Sequence, residues 1–260
     1  MSSTAVQAQV GKVYLVGAGP GAVDLITVRG QRLLLAADAV VHDALVEPDL
    51  YQGLSATLYD VGKRAGVHAL PQDEISALLV ELAKAGLQVV RLKGGDPFVL
   101  GRGSEEALAL AQANVPYEVV PGVSSAIAAP LLAGIPVTHR GVADAFCVVS
   151  AHPREADLAF TLPAFRPRLT VVIMMGVGNV AAWSAALQQC GWPSDTPVAW
   201  VMWAGRPEQR RIDGFLVSAA QDAQAGGLVA PAVAVVGGVA NLGRLSKGRL
   251  ATQTPRRCNT

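Results

Sequence analysis

In the first half of the chain, short β-branched runs alternate with longer segments of helical periodicity, and few folds accept that alternation. Residues 13–16, 39–42, 57–61, 89–92 and 117–120 read as strands. Between them, 27–36, 72–85, about 104–113 and a segment from about 124 read as helices. In 72–85 the apolar residues Ile75, Leu78, Leu79 and Leu82 take the i, i+3, i+4, i+7 spacing of one helix face. Strands alternating with helices predict a parallel sheet covered on both faces.

Beyond Gly134–Gly141 (GIPVTHRG), read as the crossing between lobes, strands are expected at 145–150, 169–174, 197–203, 210–213 and 232–236. Only two good helices intervene, 180–189 and 214–225. Two adjacent strands with a short connection predict a mixed sheet in this half. From Gly243 the chain turns basic and polar and reads as a tail. The expected organisation is α/β with two α/β lobes, 10–133 (mostly parallel sheet) and 134–243 (mixed sheet), then the tail 244–260.

Composition narrows the function classes. Charged residues make up 16% of the 260 and hydrophobic ones 51%, against roughly 25% charged in an average soluble domain, which excludes intrinsic disorder. Lys+Arg 21 against Asp+Glu 20 leaves +1, so no nucleic-acid partner is expected. The apolar stretch 126–137 is interrupted by Pro130, Gly134 and Pro136, and no run reaches the roughly 18 residues of a spanning helix. The N-terminus lacks the regions of a signal peptide. Cys147, Cys190 and Cys258 are scattered without C-x-x-C spacing, so no disulfide framework or metal site is expected. A cytoplasmic protein without membrane contact is expected, its low charge reflecting two-sided sheets and a subunit interface.

Three glycine-rich loops end strands. Gly17-Ala18-Gly19-Pro20-Gly21-Ala22 fits G-x-G-x-x-A, and Asp43 ends the second strand, where a dinucleotide fold places its ribose-binding acid. The helical pattern starts near Thr27 rather than at the last glycine, so these glycines would not aim a helix N-terminus at a pyrophosphate. A tight turn that uses glycine's backbone freedom is the other reading. Lys93-Gly94-Gly95-Asp96-Pro97-Phe98-Val99 lies at the carboxyl end of a strand, the usual ligand edge of an open parallel sheet. Two glycines allow close approach of a ligand, and Asp96 adds an acceptor. Gly101-Arg102-Gly103-Ser104-Glu105-Glu106 leads into a helix. Pro121-Gly122-Val123-Ser124-Ser125 repeats the pattern where backbone N–H groups are free at a helix start.

Basic residues gather on loops: Lys63 and Arg64, Arg102, and His139-Arg140. In a chain with so few charges they point to an acidic ligand, because guanidinium groups pair carboxylates in a bidentate fork. Individually solvated loop charges are the competing reading. His139 and His152 alone decide nothing.

The segments VYLVGAGPGAVDLITVRG, VVHDALV, VGKRAG, VVRLKGGDPFVLGRGSEE, VVPGVSS and AGIPVTHR, in this order, resemble the uroporphyrinogen-III C-methyltransferases of the tetrapyrrole methylase superfamily. The likeness covers 13–242. GAGPG and GGDPF are shared across the superfamily, whereas VGKRAG with GGDPFVLGRG and GIPVTHR resembles the uroporphyrinogen-III branch. The resemblance implies two α/β lobes with the cofactor in the cleft between them, and a homodimer. It implies methyl transfer from S-adenosyl-L-methionine to C2 and C7 of uroporphyrinogen III. The products are precorrin-2, for sirohaem, cobalamin or haem d1, and S-adenosyl-L-homocysteine.

By the same resemblance the cofactor contacts fall on Pro20, Gly94, Gly95, Asp96, Val99, Ser124, Ser125, Met175, Ala204 and Ala232, mostly through backbone groups. Asp43 matches the family's proton acceptor and Lys63 its proton donor. A pyrrole carbon attacking a sulfonium methyl builds positive charge, which a carboxylate stabilises before it takes a proton. Uroporphyrinogen is a polycarboxylate, so Arg102, Arg140, Lys63 and Arg64 are expected to bind its arms. Glu105, one turn from Arg102, orients that guanidinium or contacts a pyrrole N–H. The chain departs from the family's usual residues at His42 (often Tyr), Ser124-Ser125 (often Thr-Ala), Ala204 (often Gly) and Ser150-Ala151-His152 (often T-G-H).

Three other readings are separable. A later precorrin or cobalt-factor C-methyltransferase is opposed by VGKRAG and GIPVTHR. A dehydrogenase would bind NAD and not S-adenosylhomocysteine. A sensor or scaffold would have no need of Asp43 and Lys63.

Overall fold

A computed structural model describes residues 11–62, 70–152 and 162–244. The chain divides into two compact units at Ser125/Ala126. In the first, β1 (Lys12–Gly17), β2 (Ala39–His42), β3 (Thr57–Asp60), β4 (Gln88–Lys93) and β5 (Tyr117–Val120) form one sheet of order β3-β2-β4-β1-β5. Every pairing is parallel, with Val16 opposite Leu92 and His42 opposite Leu92 on its other side. Helices α1 (Val28–Leu35), α2 (Gln72–Lys84) and α3 (Gly103–Gln112) cover its faces.

Period-2 alternation sorts the strand side chains between two cores. Val13 and Leu15 of β1, Ala39 and Val41 of β2, and Val89 of β4 pack with Ile75, Leu79 and Leu82 of α2 and Leu110 of α3. The intervening residues, Val16, Val40, Val90 and Leu92, pack with Leu34 of α1. Thr27 caps α1, its hydroxyl accepting from Gly30 N at 3.1 Å, and a short 3-10 turn (Val23–Leu25) separates it from the first glycine loop. The helix therefore starts well past GAGPG, as its periodicity predicts.

The second unit opens with α4 (Ser125–Leu132), whose Ala126 and Ala129 pack with Ile135, Val172, Val201 and Val235. The expected lobe boundary at 133/134 follows this helix, whereas the two units divide after its first residue. Its sheet comprises β6 (Ala145–Ser150), β7 (Leu169–Met174), β8 (Pro197–Met202), β9 (Arg210–Phe215) and β10 (Ala232–Val236), in the order β6-β7-β10-β8-β9. Only β6 and β7 are parallel, so the sheet is mixed as the short β8–β9 connection predicts. Helices α5 (Val180–Gln189) and α6 (Ala219–Ala225) cover the face that holds Trp200, and Trp183 of α5 packs in the same core.

The helix expected at 214–225 begins later. Gly214 and Phe215 remain in β9 opposite Val198 and Pro197. Asp222 then accepts from Phe215 N at 3.2 Å and from Ser218 Oγ at 2.6 Å, so α6 starts only at Ala219. No helix among the described residues is long and apolar enough to cross a membrane. Of the expected tail 244–260, residues 245–260 lie outside the described residues.

Candidate active site

In the first unit the loops after β1, β4 and β5 meet at the carboxyl edge of the sheet. Ala18 N donates to Lys93 O at 2.7 Å, and Gly19 and Gly95 exchange two backbone hydrogen bonds of 3.2 and 2.8 Å. A Cβ on Gly17 would lie 2.5 Å from Gly122 Cα and 2.6 Å from Gly95 O, so only glycine fits where the three backbones touch. Gly94 is different. It is exposed, and a Cβ there would meet nothing nearer than Leu45 Cβ at 4.0 Å. That open backbone shelf, at an edge where ligands of parallel sheets bind, is the feature expected of a loop that a cofactor approaches closely.

Asp96 ties the loops together rather than standing free. Its Oδ2 accepts from Gly122 N at 3.1 Å and its Oδ1 from Phe98 N at 2.9 Å. Val99 N reaches Asp96 O at 3.4 Å, and Leu100 and Arg102 follow with left-handed backbone, φ 54° and 56°. Pro20 follows Gly19 in the paired loop. Ser124 is buried and Ser125 opens α4, its backbone N 3.6 Å from the Cβ position of Gly95. Pro20, Gly94, Gly95, Asp96, Val99, Ser124 and Ser125 are thus brought to one sheet edge.

In the second unit Met175, Ala204 and Ala232 gather at one edge of the other sheet. Ala232 opens β10 opposite Met202. The pairing of β10 with β7 ends at Ala234 opposite Ile173, two residues short of Ala232 on one strand and of Met175 on the other. Met175 is 42% exposed with left-handed φ of 56°, so it is no core methionine. Ala204 packs at the margin of the α4-side core, and Ala151 is fully buried in the core beneath α5. Arg140 is exposed in the turn between His139 and Ala143, whose backbones pair at 2.9 Å. Lys63 and Arg64 lie outside the described residues.

Arg102 and Glu105 are exposed and form a two-point fork, Nε to Oε1 at 2.9 Å and Nη2 to Oε2 at 2.7 Å. This hydrogen bond raises the guanidinium's pKa above its ordinary value and lowers that of the Glu105 carboxyl. His42, at the family's usual tyrosine position, stacks on Tyr51 with ring centroids 4.0 Å apart.

Asp43 leads into a charged cluster that motif reading misses. Ala39, Val41 and Asp43 share a strand face, as do Val89, Arg91 and Lys93, and both sets point toward α2 and α3. Arg91 is 2% exposed, Lys93 3% and Glu106 of α3 0%. Arg91 Nη2 donates to Asp43 Oδ1 at 2.5 Å and its Nε to Glu106 Oε1 at 3.1 Å. The same Glu106 oxygen accepts from Lys93 Nζ and from Gln72 Nε2, each at 3.0 Å. Burial works against the Arg91 charge, but the Asp43 and Glu106 carboxylates outweigh it and raise its pKa. Burial and the Arg91 charge lower that of Lys93. The available signal is two basic residues at alternating positions of a strand whose other residues are all apolar apart from its first, Gln88.

Comparison with known proteins identifies the family. Residues 12–220 match the family model Tetrapyrrole (Corrin/Porphyrin) Methylases. A uroporphyrinogen-III C-methyltransferase of Methanocaldococcus jannaschii is 47% identical over 89% of this chain and 98% of its own. A siroheme synthase of Chromobacterium violaceum is 44% identical over 90% of this chain, which spans 50% of that longer protein. The crystal structure of uroporphyrin-III C-methyltransferase from Thermus thermophilus complexed with S-adenyl homocysteine superposes with a TM-score of 0.75 at 38% identity, over 89% of this chain and all of that one. By sequence and by fold, the chain belongs to the tetrapyrrole (corrin/porphyrin) methylases.

Proposed function

We propose that this chain methylates uroporphyrinogen III at C2 and C7, giving precorrin-2 and S-adenosyl-L-homocysteine. The observation that carries the reading is one sheet edge that holds both an open glycine shelf, Gly94, and an anchored carboxylate, Asp43. S-adenosyl-L-methionine supplies an electrophilic methyl group on a sulfonium centre. The loop backbones of Pro20, Gly94, Gly95, Val99, Ser124 and Ser125 border it with small groups. Asp96 holds those loops in register. The family resemblance adds Met175, Ala204 and Ala232 as cofactor contacts.

Asp43 stabilises positive charge on the attacked pyrrole and takes the proton that leaves, with Lys63 as proton donor. Arg102, oriented by Glu105, and Arg140 and Arg64 bind the carboxylate arms. The working form is a cytoplasmic homodimer, without nucleic-acid or membrane partners. Exposed apolar side chains such as Ile127 (47%) and Leu131 (58%) on α4 support the dimer. Anaerobic incubation with S-adenosylmethionine and enzymatically made uroporphyrinogen III tests the activity. Precorrin-2, or its red-fluorescent oxidation product, is expected; folded protein that forms no methylated tetrapyrrole refutes it. Light scattering at micromolar concentration tests the dimer, and a monomer refutes it.

A further inference from the structure

Burying two cations on one strand costs several kcal/mol each unless carboxylates meet them with good geometry. Arg91 and Lys93 are both buried, and Glu106 offers them a single oxygen, Oε1, already shared with Gln72. Among the described residues Glu106 Oε2 has no hydrogen-bond partner. One carboxylate therefore leaves the pair of cations unbalanced, and Asp43 is the second. Arg91 spans the two, with Nε on Glu106 and Nη2 on Asp43, while Nη1 lies 3.4 Å from the carbonyls of Val41 and Leu92. A guanidinium held at three of its nitrogens cannot rotate without losing several buried contacts. Asp43, with its side chain one-third exposed, is thereby fixed at Oδ1, and among the described residues nothing bonds Oδ2.

We infer that Arg91 is a positioning residue, anchored by Glu106, that holds the Asp43 carboxylate with Oδ2 turned to the substrate. The inference rests on the reading of Asp43 as the group that acts on the pyrrole. Arg91 is 2% exposed and meets the sheet edge at Asp43, so its effect on the reaction is expected to pass through that carboxylate. A purely structural Arg91 would disturb the whole edge, Gly94 and Gly95 included, because they follow on the same strand.

The test compares Arg91→Met and Arg91→Lys in the wild-type chain and in the Asp43→Asn chain. Transfer of a radiolabelled methyl group reads even low residual rates. Arg91→Met is expected to lower kcat by up to about a hundredfold, the effect of a misplacement near 1 Å. The KM for S-adenosylmethionine stays unchanged, and Arg91→Lys recovers part of kcat by restoring the charge. In the Asp43→Asn chain neither substitution lowers kcat further by more than about twofold, since coupled residues do not act additively.

Losses that multiply across the two sites, or a KM for the cofactor that rises with the fall in kcat, overturn the inference. Full activity of Asp43→Asn overturns it as well. Should the Arg91 variants not fold, Glu106→Gln, which keeps shape and a carbonyl acceptor, carries the same comparison with the same outcomes. Absence of methyl transfer by the wild-type chain would instead refute the proposed activity, so the two failures are distinguishable.

Discussion

Replacing Gly94 by alanine separates binding from folding. The added methyl meets only Leu45 Cβ, at 4.0 Å, and Gly94 does not have the positive φ that resists a side chain. The folded state accepts it, and the unfolded chain loses freedom, so stability stays level or rises by about 0.4–1 kcal/mol. At roughly 2–4 °C per kcal/mol for a chain of this size, the unfolding midpoint changes by between zero and about +4 °C. If the cofactor passes over this backbone, the methyl forces it away, and a loss of at least about tenfold in affinity, 1.4 kcal/mol, is expected.

Thermal unfolding with S-adenosylhomocysteine at 100 times the wild-type Kd makes both effects visible. Wild type gains about 2.7 kcal/mol and Gly94→Ala only about 1.4 kcal/mol, and calorimetric titration checks the affinity itself. Gly17→Ala provides the contrast. Its methyl would lie 2.5 Å from the Gly122 backbone, so the loops must part and stability falls by about 1–3 kcal/mol. A Gly94→Ala protein that binds as tightly as wild type refutes the shelf as a cofactor contact. One that is itself unstable refutes the reading of open space.

Arg102→Leu and Arg140→Leu are each expected to raise the KM for uroporphyrinogen while leaving S-adenosylhomocysteine affinity unchanged; equal losses of both count against a substrate role. Glu118 accepts from Lys12 at 3.0 Å and also from Arg29, which holds its carboxyl below the ordinary glutamate value of 4.5. Its stabilisation is therefore full above about pH 4.5 and lost as pH falls through the lowered value. Being near the surface it is worth no more than about 1 kcal/mol, so the stability gap between wild type and Glu118→Gln should close in acid; a gap that widens there contradicts the sign. Burial raises the Cys147 thiol above its ordinary pKa, so iodoacetamide at neutral pH should modify Cys147 more slowly in folded than in unfolded protein, as peptide mapping reads.

Most of the fold is legible in the sequence because each half has its own strong pattern. Strand β4, with its Val-Val-Arg-Leu-Lys run, shows both the strength and the limit. Its apolar residues and its place between helices predict a two-sided parallel strand, and the glycines after it predict the ligand edge. What Arg91 and Lys93 do is not legible, because Glu106 and Asp43 are distant in sequence and meet them only once β2, β4 and α3 pack. The early helix at 214–225 misleads for a similar reason. Helical spacing there is real, but pairing of Gly214 and Phe215 with β8 competes for the same residues and wins. Asp96 reads as a ligand acceptor in the sequence, whereas both of its oxygens already bind backbone amides of its own edge.

The most direct test of the central claim is mass spectrometry of the tetrapyrrole after anaerobic reaction with methyl-deuterated S-adenosylmethionine. Uroporphyrinogen III carrying labelled methyl groups at C2 and C7 is expected, with one S-adenosylhomocysteine formed for each methyl. Well-folded protein that binds S-adenosylhomocysteine yet leaves the tetrapyrrole unlabelled would contradict it.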